Sequence, residues 1–262
     1  MAIMHGVVLY TRPYRDNDLL VRMLTQEAGL RTFLARGAKK NNSKLAAGVQ
    51  PYTLNSFEGK LPKQQEGLGY LNSIQSSHYF RTVVEDLNIS AYVALIAKLI
   101  DLSFEEGQPI EDWYDKFCQA LEKLDQGLDP QIITNIFEIQ LLKPLGVEPN
   151  LRADPIDGQM DGQFDYSEKY NGIIAENHYY LDDNRLHLDQ KTIFYLRQFS
   201  QIKLSQINQI KISPATKRSL QKVIDYIYDQ QVGLKPKEKV FIQSMDRWQS
   251  DLSRLVQERN LP

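Results

Sequence analysis

The spacing of apolar residues changes near residue 82, and this change constrains the fold more than any other feature of the 262-residue sequence. Before it, apolar residues occur in short runs with the alternation typical of β-strands, as in residues 30–36. After it, they recur at intervals of three and four residues, as in residues 89–100, which is typical of helices buried on one face. The sequence therefore predicts an α+β protein with two domains, residues 1–82 and 83–262.

Five short strands are predicted in the N-terminal domain. They cover Ile3 to Tyr10, Leu19 to Thr25, Leu30 to Arg36, Tyr52 to Phe57 and Tyr70 to Ile74. The residues from Thr11 to Asp18 are predicted to form the first turn, because Pro13 fixes one φ angle and the Asp and Asn residues suit bends. Five such strands favour a small closed barrel. The five-stranded OB-fold is the commonest barrel of this kind and often binds single-stranded nucleic acid.

The C-terminal domain is predicted to be helical with one loop-rich insert. The predicted helices cover residues 83–100, Ile110 to Leu124, Pro130 to Leu142, Lys191 to Phe199, Pro214 to Tyr228 and Glu238 to Val256. The insert spans about residues 147–188, where periodicity is lost and Gly, Pro, Asp and Tyr are frequent. Short strands are predicted within it at Gly172 to Ala175 and at His178 to Leu181.

Positive charge is concentrated in the N-terminal domain. Residues 1–82 hold 11 Lys and Arg against 5 Asp and Glu, whereas residues 83–262 hold 20 against 28. This asymmetry predicts a basic working face, with phosphate as its partner. The candidate DNA-binding residues are Arg12, Arg15, Arg22, Arg31, Arg36, Lys39, Lys40 and Lys44.

Within this set, a strand leads into a loop, Lys39 to Lys44, that contains no apolar residue to anchor it. We therefore expect the loop to be mobile, and a solvated hairpin loop without ligands remains the alternative. Arg22 and Arg31 are expected to share a face if the register of their hairpin allows it. The aromatic residues Tyr10, Tyr14 and Phe33 can stack on bases or pack in the core. For Phe33 the core is favoured.

No catalytic motif is present, so the sequence predicts no enzyme and no cofactor. Glycine-rich phosphate loops, Gly-x-Ser-x-Gly and His-Glu-x-x-His are absent, and the four histidines are scattered. The single cysteine, Cys118, excludes an internal disulfide and a thiolate-rich zinc site. Residues 157–168 place four carboxylates at calcium-loop spacing, but an acidic turn-rich loop is the favoured interpretation. No signal peptide or membrane span is recognised, so the expected location is the cytoplasm.

Three segments resemble the RecO family of bacterial DNA repair proteins. They are residues 3–18, Leu24 to Gly29, and Ala35 to Lys40, which reads Ala-Arg-Gly-Ala-Lys-Lys. Weaker similarity at Leu145 to Leu151, and around the late helix before Lys239-Val-Phe-Ile-Gln, extends the resemblance over nearly the whole chain. The resemblance implies an OB-fold recombination mediator without catalytic activity. Such a protein binds single- and double-stranded DNA, anneals complementary strands and associates with the nucleoid.

The same resemblance implies protein partners and raises a question about zinc. Its implied partners are RecR, the C-terminal tail of single-stranded DNA-binding protein and, indirectly, RecA, which it helps to load; no membrane is involved.

Many RecO proteins hold zinc with two Cys-x-x-Cys pairs. The matching positions here are Asp154, Asp157, Ala175 and His178, so the insert is predicted to keep the shape of a zinc module without the ion.

Two other kinds of protein remain open on the residues alone. The first is an adaptor that binds only proteins and uses the barrel as a docking module. The second is an RNA-binding OB-fold protein. Salt titrations with DNA and with RNA distinguish all three, because phosphate contacts make affinity depend strongly on salt.

Overall fold

The computed structural model describes residues 2–62, 67–110, 112–245 and 247–248, without the side chain of Ala2. Its strands are β1 (Ala2–Tyr14), β2 (Asp18–Thr25), β3 (Gly29–Ala35), β4 (Leu54–Lys60), β5 (Leu68–His78), β6 (Phe164–Ser167) and β7 (Gly172–Ala175). Its helices are α1 (Arg81–Glu85), α2 (Leu87–Ser103), α3 (Trp113–Asp125), α4 (Pro130–Leu141), α5 (Gln190–Gln201) and α6 (Pro214–Ile227). A later helical stretch covers residues 237–245.

Strands β1 to β5 form a closed barrel in the order β1-β2-β3-β5-β4. Strand β1 closes it by pairing with both β2 and β4, and β3 runs parallel to β5. Alternate side chains point inward and fill the interior, as expected for a small barrel. Among them, the rings of Phe33 and Phe57 meet edge to face with 5.2 Å between their centroids. The predicted five-stranded OB-type barrel is confirmed, and Phe33 belongs to its core.

A β-bulge at Leu9 changes which side of β1 faces the barrel interior. Val8 lies opposite Met23, whereas Tyr10 lies opposite Arg22, so β1 carries one extra residue between these pairs. The even-numbered residues of β1 therefore face the core before the bulge and the outside after it. Bulges commonly redirect side chains in this way.

The first hairpin is longer than predicted, and its turn is shorter. Residues 11–14 continue β1 and pair with β2, ending with Tyr14 opposite Asp18. The turn is left with residues 15–17, where Arg15 adopts a φ of +56°. Cross-strand pairing overrides the local turn propensity of the residues around Pro13, so the predicted turn from Thr11 to Asp18 is wrong in extent.

The β3–β4 loop (residues 36–53) is fastened to the barrel core. Ala38, Leu45 and Val49 are buried and pack in the same cluster as the inward-facing strand residues. Hydrogen-bonded turns connect them, including Ser43 N–H to the Lys40 carbonyl at 3.0 Å. The expectation that no apolar residue anchors this basic segment is therefore wrong, because the anchors lie just outside Lys39 to Lys44.

The helices follow the predicted apolar stripes. Ile89, Val93, Ile96 and Ile100 are all buried along α2. At the start of α6, the Ser213 hydroxyl accepts a hydrogen bond from the Thr216 N–H at 3.2 Å and so caps the helix. The predicted helix from Glu238 to Val256 is described only as far as residue 248, and its remainder lies outside the described residues.

The chain divides into two compact units, one of which is discontinuous. The barrel unit comprises Met1–Pro130 together with Pro236–Pro262, and the second unit comprises Gln131–Lys235. Within the barrel unit, burial and the nearby Glu238 carboxylate raise the pKa of Tyr52 to about 12. The domain boundary predicted at residue 82, where the strands end and the helices begin, stays a prediction.

None of the helices in the described ranges combines the length and the apolar character that a membrane span requires.

The insert lies in the second unit and contains one small antiparallel hairpin. Strand β7 is the strand predicted at Gly172 to Ala175, and its partner is β6, which was not predicted. The strand predicted at His178 to Leu181 is wrong, because Glu176–Leu181 forms a 3-10 helix. Short apolar segments of this kind do not distinguish a strand from a helical turn by periodicity alone.

Candidate nucleic-acid interface

Arg22, one of the predicted DNA contacts, is held by carboxylates of the same unit. Its Nε donates to Oδ1 of Asp101 at 2.7 Å, and its Nη1 lies 3.0 Å from Oε2 of Glu106. The Tyr10 hydroxyl donates to the other Asp101 oxygen at 3.0 Å, and burial together with Asp101 raises the pKa of Tyr10. Arg22 is thus neutralised under helix α2 and does not belong to an open basic surface.

Arg31 is also enclosed. Its side chain is buried, and its Nη2 donates to the Gly107 carbonyl at 3.4 Å. A side chain at Gly107 would come within 2.6 Å of the guanidinium carbon, so glycine permits this close approach. Arg31 lies opposite Met23, which faces the core, whereas Arg22 lies opposite the outward-facing Thr32. The two arginines therefore point to opposite faces of the hairpin, and the expectation that they share one is wrong.

The remaining predicted cations converge at one end of the barrel. The β3–β4 loop is attached to the β1–β2 turn, because Lys39 N–H donates to the Asn17 carbonyl at 3.0 Å. Next to it, Gly37 N–H donates to the Asp18 carboxylate at 2.8 Å. These two bonds bring the cations of the loop beside Arg15 in the turn. Two basic segments that are more than twenty residues apart in sequence form one surface.

We call the six cations of this end the basic surface: Arg12, Arg15, Arg36, Lys39, Lys40 and Lys44. All six side chains are exposed. Within the described ranges, no carboxylate comes within the 4.0 Å of an ion pair with any of them. Exposed cations without a protein counter-ion are the groups that neutralise phosphates and release counterions.

Each arginine of the basic surface lies over a tyrosine ring. The distances from guanidinium carbon to ring centroid are 5.0 Å for Arg12 and Tyr10, 5.4 Å for Arg15 and Tyr14, and 5.1 Å for Arg36 and Tyr70. Tyr14 and Tyr70 remain more than a third exposed, whereas the Tyr10 hydroxyl is bound to helix α2.

Sequence reasoning missed Tyr70 and the exposed Lys60 opposite it on β4. The alternation of buried Gly69 and Leu71 with exposed Tyr70 and Asn72 is the signal that could have found Tyr70.

The residues of the insert do not fit a structural zinc ion. Asp154, Asp157 and His178 place ligand atoms within 4.8 Å of one another, and the fourth family position is Ala175, whose methyl group cannot bind metal. The buried Asp154 carboxylate already accepts hydrogen bonds from Ala175 N–H at 2.6 Å and Ile156 N–H at 2.7 Å, and lies 2.9 Å from His178 Nδ1. Structural zinc needs four ligands, most often thiolates. Here a carboxylate connects the two halves of the insert instead.

Among the described residues, the carboxylates at calcium-loop spacing do not form a cluster of possible metal ligands either. Asp165 lies in strand β6, is buried, and accepts hydrogen bonds from the N–H groups of His187 and Leu188 at 3.0 and 2.9 Å. It also lies 3.4 Å from Arg185. A carboxylate used in this way fixes the chain inside the fold, so these spacings do not define a calcium loop.

The cysteine offers no nucleophile. Burial raises the pKa of the Cys118 thiol to about 12, and the neighbouring carboxylates of Asp115 and Glu122 add to that effect. A thiol must be ionised to act as a nucleophile or a metal ligand. Cys118 is partly buried on helix α3, and its thiol stays neutral at neutral pH.

A closed five-stranded barrel with a basic end, followed by a helical region, defines the class of OB-fold proteins with an appended helical part. Family models described as Recombination protein O N terminal and Recombination protein O C terminal match residues 1–80 and 84–239. The chain therefore belongs to the recombination protein O family, a family of DNA repair proteins.

Relatives cover nearly the whole chain. A protein named DNA repair protein RecO from Leuconostoc mesenteroides is 65% identical over 252 residues, covering 96% of this chain and 97% of the relative. A protein of the same name from Leuconostoc citreum is 62% identical and covers 96% of both chains. Another, from Levilactobacillus brevis, is 40% identical over 248 residues and covers 95% of both.

Proposed function

We propose that this chain is a recombination mediator that binds single- and double-stranded DNA through the basic surface and anneals complementary strands. The observation that carries the proposal is the basic surface itself, with six exposed cations and no carboxylate of the described residues paired to them. Phosphate contacts of this kind supply most of the sequence-independent affinity of proteins for DNA.

The mechanism is electrostatic. Two DNA strands repel each other, so a protein that brings them together must screen both phosphate backbones at once. The basic surface comes from two segments, the β1–β2 hairpin with Arg12 and Arg15 and the β3–β4 loop with the other four cations. The hairpin and the loop offer places for two strands side by side, and the approaching strands pair through their own bases. No bond is made or broken by the protein, so no catalytic group is required.

The resemblance and the family membership support protein partners as part of this proposal. RecR is the expected partner in loading RecA, and the acidic C-terminal tail of single-stranded DNA-binding protein is the expected docking partner. A DNA-bound protein of this kind works at the nucleoid in the cytoplasm.

The test is a salt titration of DNA binding by the Lys39→Ala, Lys40→Ala double variant. We expect weaker binding to all DNA sequences. The slope of log affinity against log salt should flatten by about 0.7 to 0.9 per lost phosphate contact. The matched control is Lys143→Ala with Lys203→Ala, which removes the same charge from two exposed positions of the second unit. The control should leave both affinity and slope near those of the unaltered protein.

The same titration decides between the alternatives. An RNA-binding protein would bind RNA more tightly than DNA of the same sequence at every salt concentration. An adaptor that binds only proteins would show no salt-dependent affinity for either nucleic acid. Equal losses in the test and control variants would mean that net charge, and not the basic surface, governs binding.

A further inference from the structure

The outer face of the barrel contains two adjacent cross-strand rows of residues. In the first row, Tyr10 lies opposite Arg22 and Arg22 lies opposite Thr32. This row is covered, because Asp101 and Glu106 bind its polar groups. Residues paired across strands share a face, so the next row must point the same way.

The second row runs across all five strands and has exposed ends. Its members, in the strand order of the barrel, are Arg12, Leu20, Leu34, Tyr70 and Lys60. Arg12, Tyr70 and Lys60 are exposed, whereas Leu20 is half-buried and Leu34 is buried. Because the barrel is closed and β1 also pairs with β4, the row winds around the outer surface of the barrel. We call it the Arg12–Lys60 row.

The chemistry of the Arg12–Lys60 row is that of a binding path for an unpaired nucleic-acid strand. Its exposed members are a cation at each end and an aromatic ring next to one of these cations. Arg36 lies over the Tyr70 ring at 5.1 Å, which adds a third cation beside the aromatic group. An exposed aromatic ring stacks on any base, and cations on either side bind the flanking phosphates. A duplex keeps its bases stacked inside and presents none to the ring.

We propose that Tyr70 is a base-stacking residue and that the Arg12–Lys60 row binds single-stranded DNA in preference to duplex. This inference rests on the proposed DNA-binding function and goes beyond it, because it assigns Tyr70 and Lys60 to binding and separates two kinds of contact. The phosphate contacts of the β3–β4 loop serve both forms of DNA. The Tyr70 ring serves only the form whose bases are free.

The decisive variant is Tyr70→Leu, which removes the ring but keeps an apolar side chain on the strand. Affinity for an unstructured oligonucleotide should fall at least about 5-fold, at a salt concentration that weakens the loop contacts. Duplex affinity and the salt slope should not change, because no charge is lost. Tyr70→Phe should keep the affinity, and Tyr79→Leu, which removes another exposed tyrosine just after β5, is the matched control. Lys60→Ala should flatten the salt slope.

A second measurement needs no variant. An oligonucleotide carrying 5-iodouracil should crosslink under ultraviolet light to the peptide that contains Tyr70. Crosslinks confined to other peptides would overturn the assignment, as would a Tyr70→Leu protein that binds single strands normally or loses both forms of DNA equally.

The proposed function is tested separately. If the Lys39→Ala, Lys40→Ala variant binds DNA normally, the assignment of the basic surface to DNA binding is wrong. If only the tyrosine variant behaves normally, the row alone is wrong.

Discussion

The Nε atom of Arg22 donates a hydrogen bond to Oδ1 of Asp101 across 2.7 Å, joining strand β2 to helix α2. The two side chains are 11% and 9% exposed. Their pairing divides the outer face of the barrel into a part that is covered by carboxylates and a part whose cations remain open. The division decides which arginines stabilise the protein and which are available to a ligand.

We expect Arg22→Ala to destabilise the protein by about 3 kcal/mol, because breaking a buried ion pair leaves Asp101 without its main counter-ion. Urea unfolding measures this directly. The matched control is Arg12→Ala, which removes an exposed arginine that pairs with no carboxylate of the described residues. It should change the free energy of unfolding by less than about 0.5 kcal/mol. A stable Arg22→Ala protein with a flattened salt slope for DNA would return Arg22 to the basic surface.

Removing the two hairpin arginines, by Arg12→Ala with Arg15→Ala, should impair annealing more than it weakens binding of one strand. The loop cations still hold a single strand, but the second strand loses its counter-charges. The measurements are the affinity for one labelled strand and the rate of duplex formation from two. Annealing should also fall steeply as salt rises, because both strands are held by counterion release. If affinity and rate fall by the same factor, the basic surface is one shared site.

The purified protein should contain less than one zinc per chain, and a chelator should leave its melting temperature unchanged. The reason is that Asp154 and His178 are bound to each other and Ala175 supplies no ligand. Calcium should likewise produce no rise in melting temperature, whereas tight binding to the folded state would raise it. Zinc at one per chain that survives gel filtration with a chelator would contradict this prediction.

A gain-of-function variant tests whether the insert has the geometry of a zinc module. Cysteines placed together at the four family positions 154, 157, 175 and 178 should bind one zinc per chain, because the spacing and the close approach of these segments match a four-thiolate site. A variant with cysteines only at 154 and 157 is the matched control and should not retain zinc. If the four-cysteine protein folds and binds no zinc, the insert does not have the geometry of a zinc module.

The second unit should lose stability in acid through Asp154. Burial alone raises the pKa of this carboxyl, but the hydrogen bonds from Ala175 and Ile156 and the contact with His178 outweigh it, so the pKa is lowered. A lowered pKa stabilises the fold above the unfolded value of about 3.9, and that stability is lost as the pH falls further. The difference in unfolding free energy between the unaltered protein and Asp154→Asn should shrink as the pH falls below about 4. A difference that stays constant down to pH 2 would contradict it.

Local pattern was sufficient to predict the barrel and most helices. The apolar stripe of α2 and the Ser213-Pro214 start of α6 are signals carried by neighbouring residues. The bulge at Leu9 is different, because an extra residue in one strand shows only against its partner strand. The length of the first hairpin depends on the same pairing.

The sequence could not separate the exposed cations of the predicted set from the enclosed ones, and the reason is physical. Arg12 and Arg22 look alike in sequence, and only the arrangement of distant residues separates them. Asp101, which covers Arg22, is 79 residues away in the chain. The residue type of a cation is read directly from the sequence, whereas its counter-ion depends on the fold. Six of the eight predicted residues are exposed, but Arg22 and Arg31 are not. Tyr70 was missed although the alternation of β5 marks it as outward-facing.

The discontinuous barrel unit also sets an order of events during synthesis. A ribosome releases the chain from its N-terminus, at about 5 to 20 residues per second. Residues from Pro236 onward belong to the unit that starts at the N-terminus, but they emerge only after the whole of Gln131–Lys235. For at least about 5 seconds, therefore, a nascent barrel unit exists without its last portion, and a chain that stops at residue 235 never completes it.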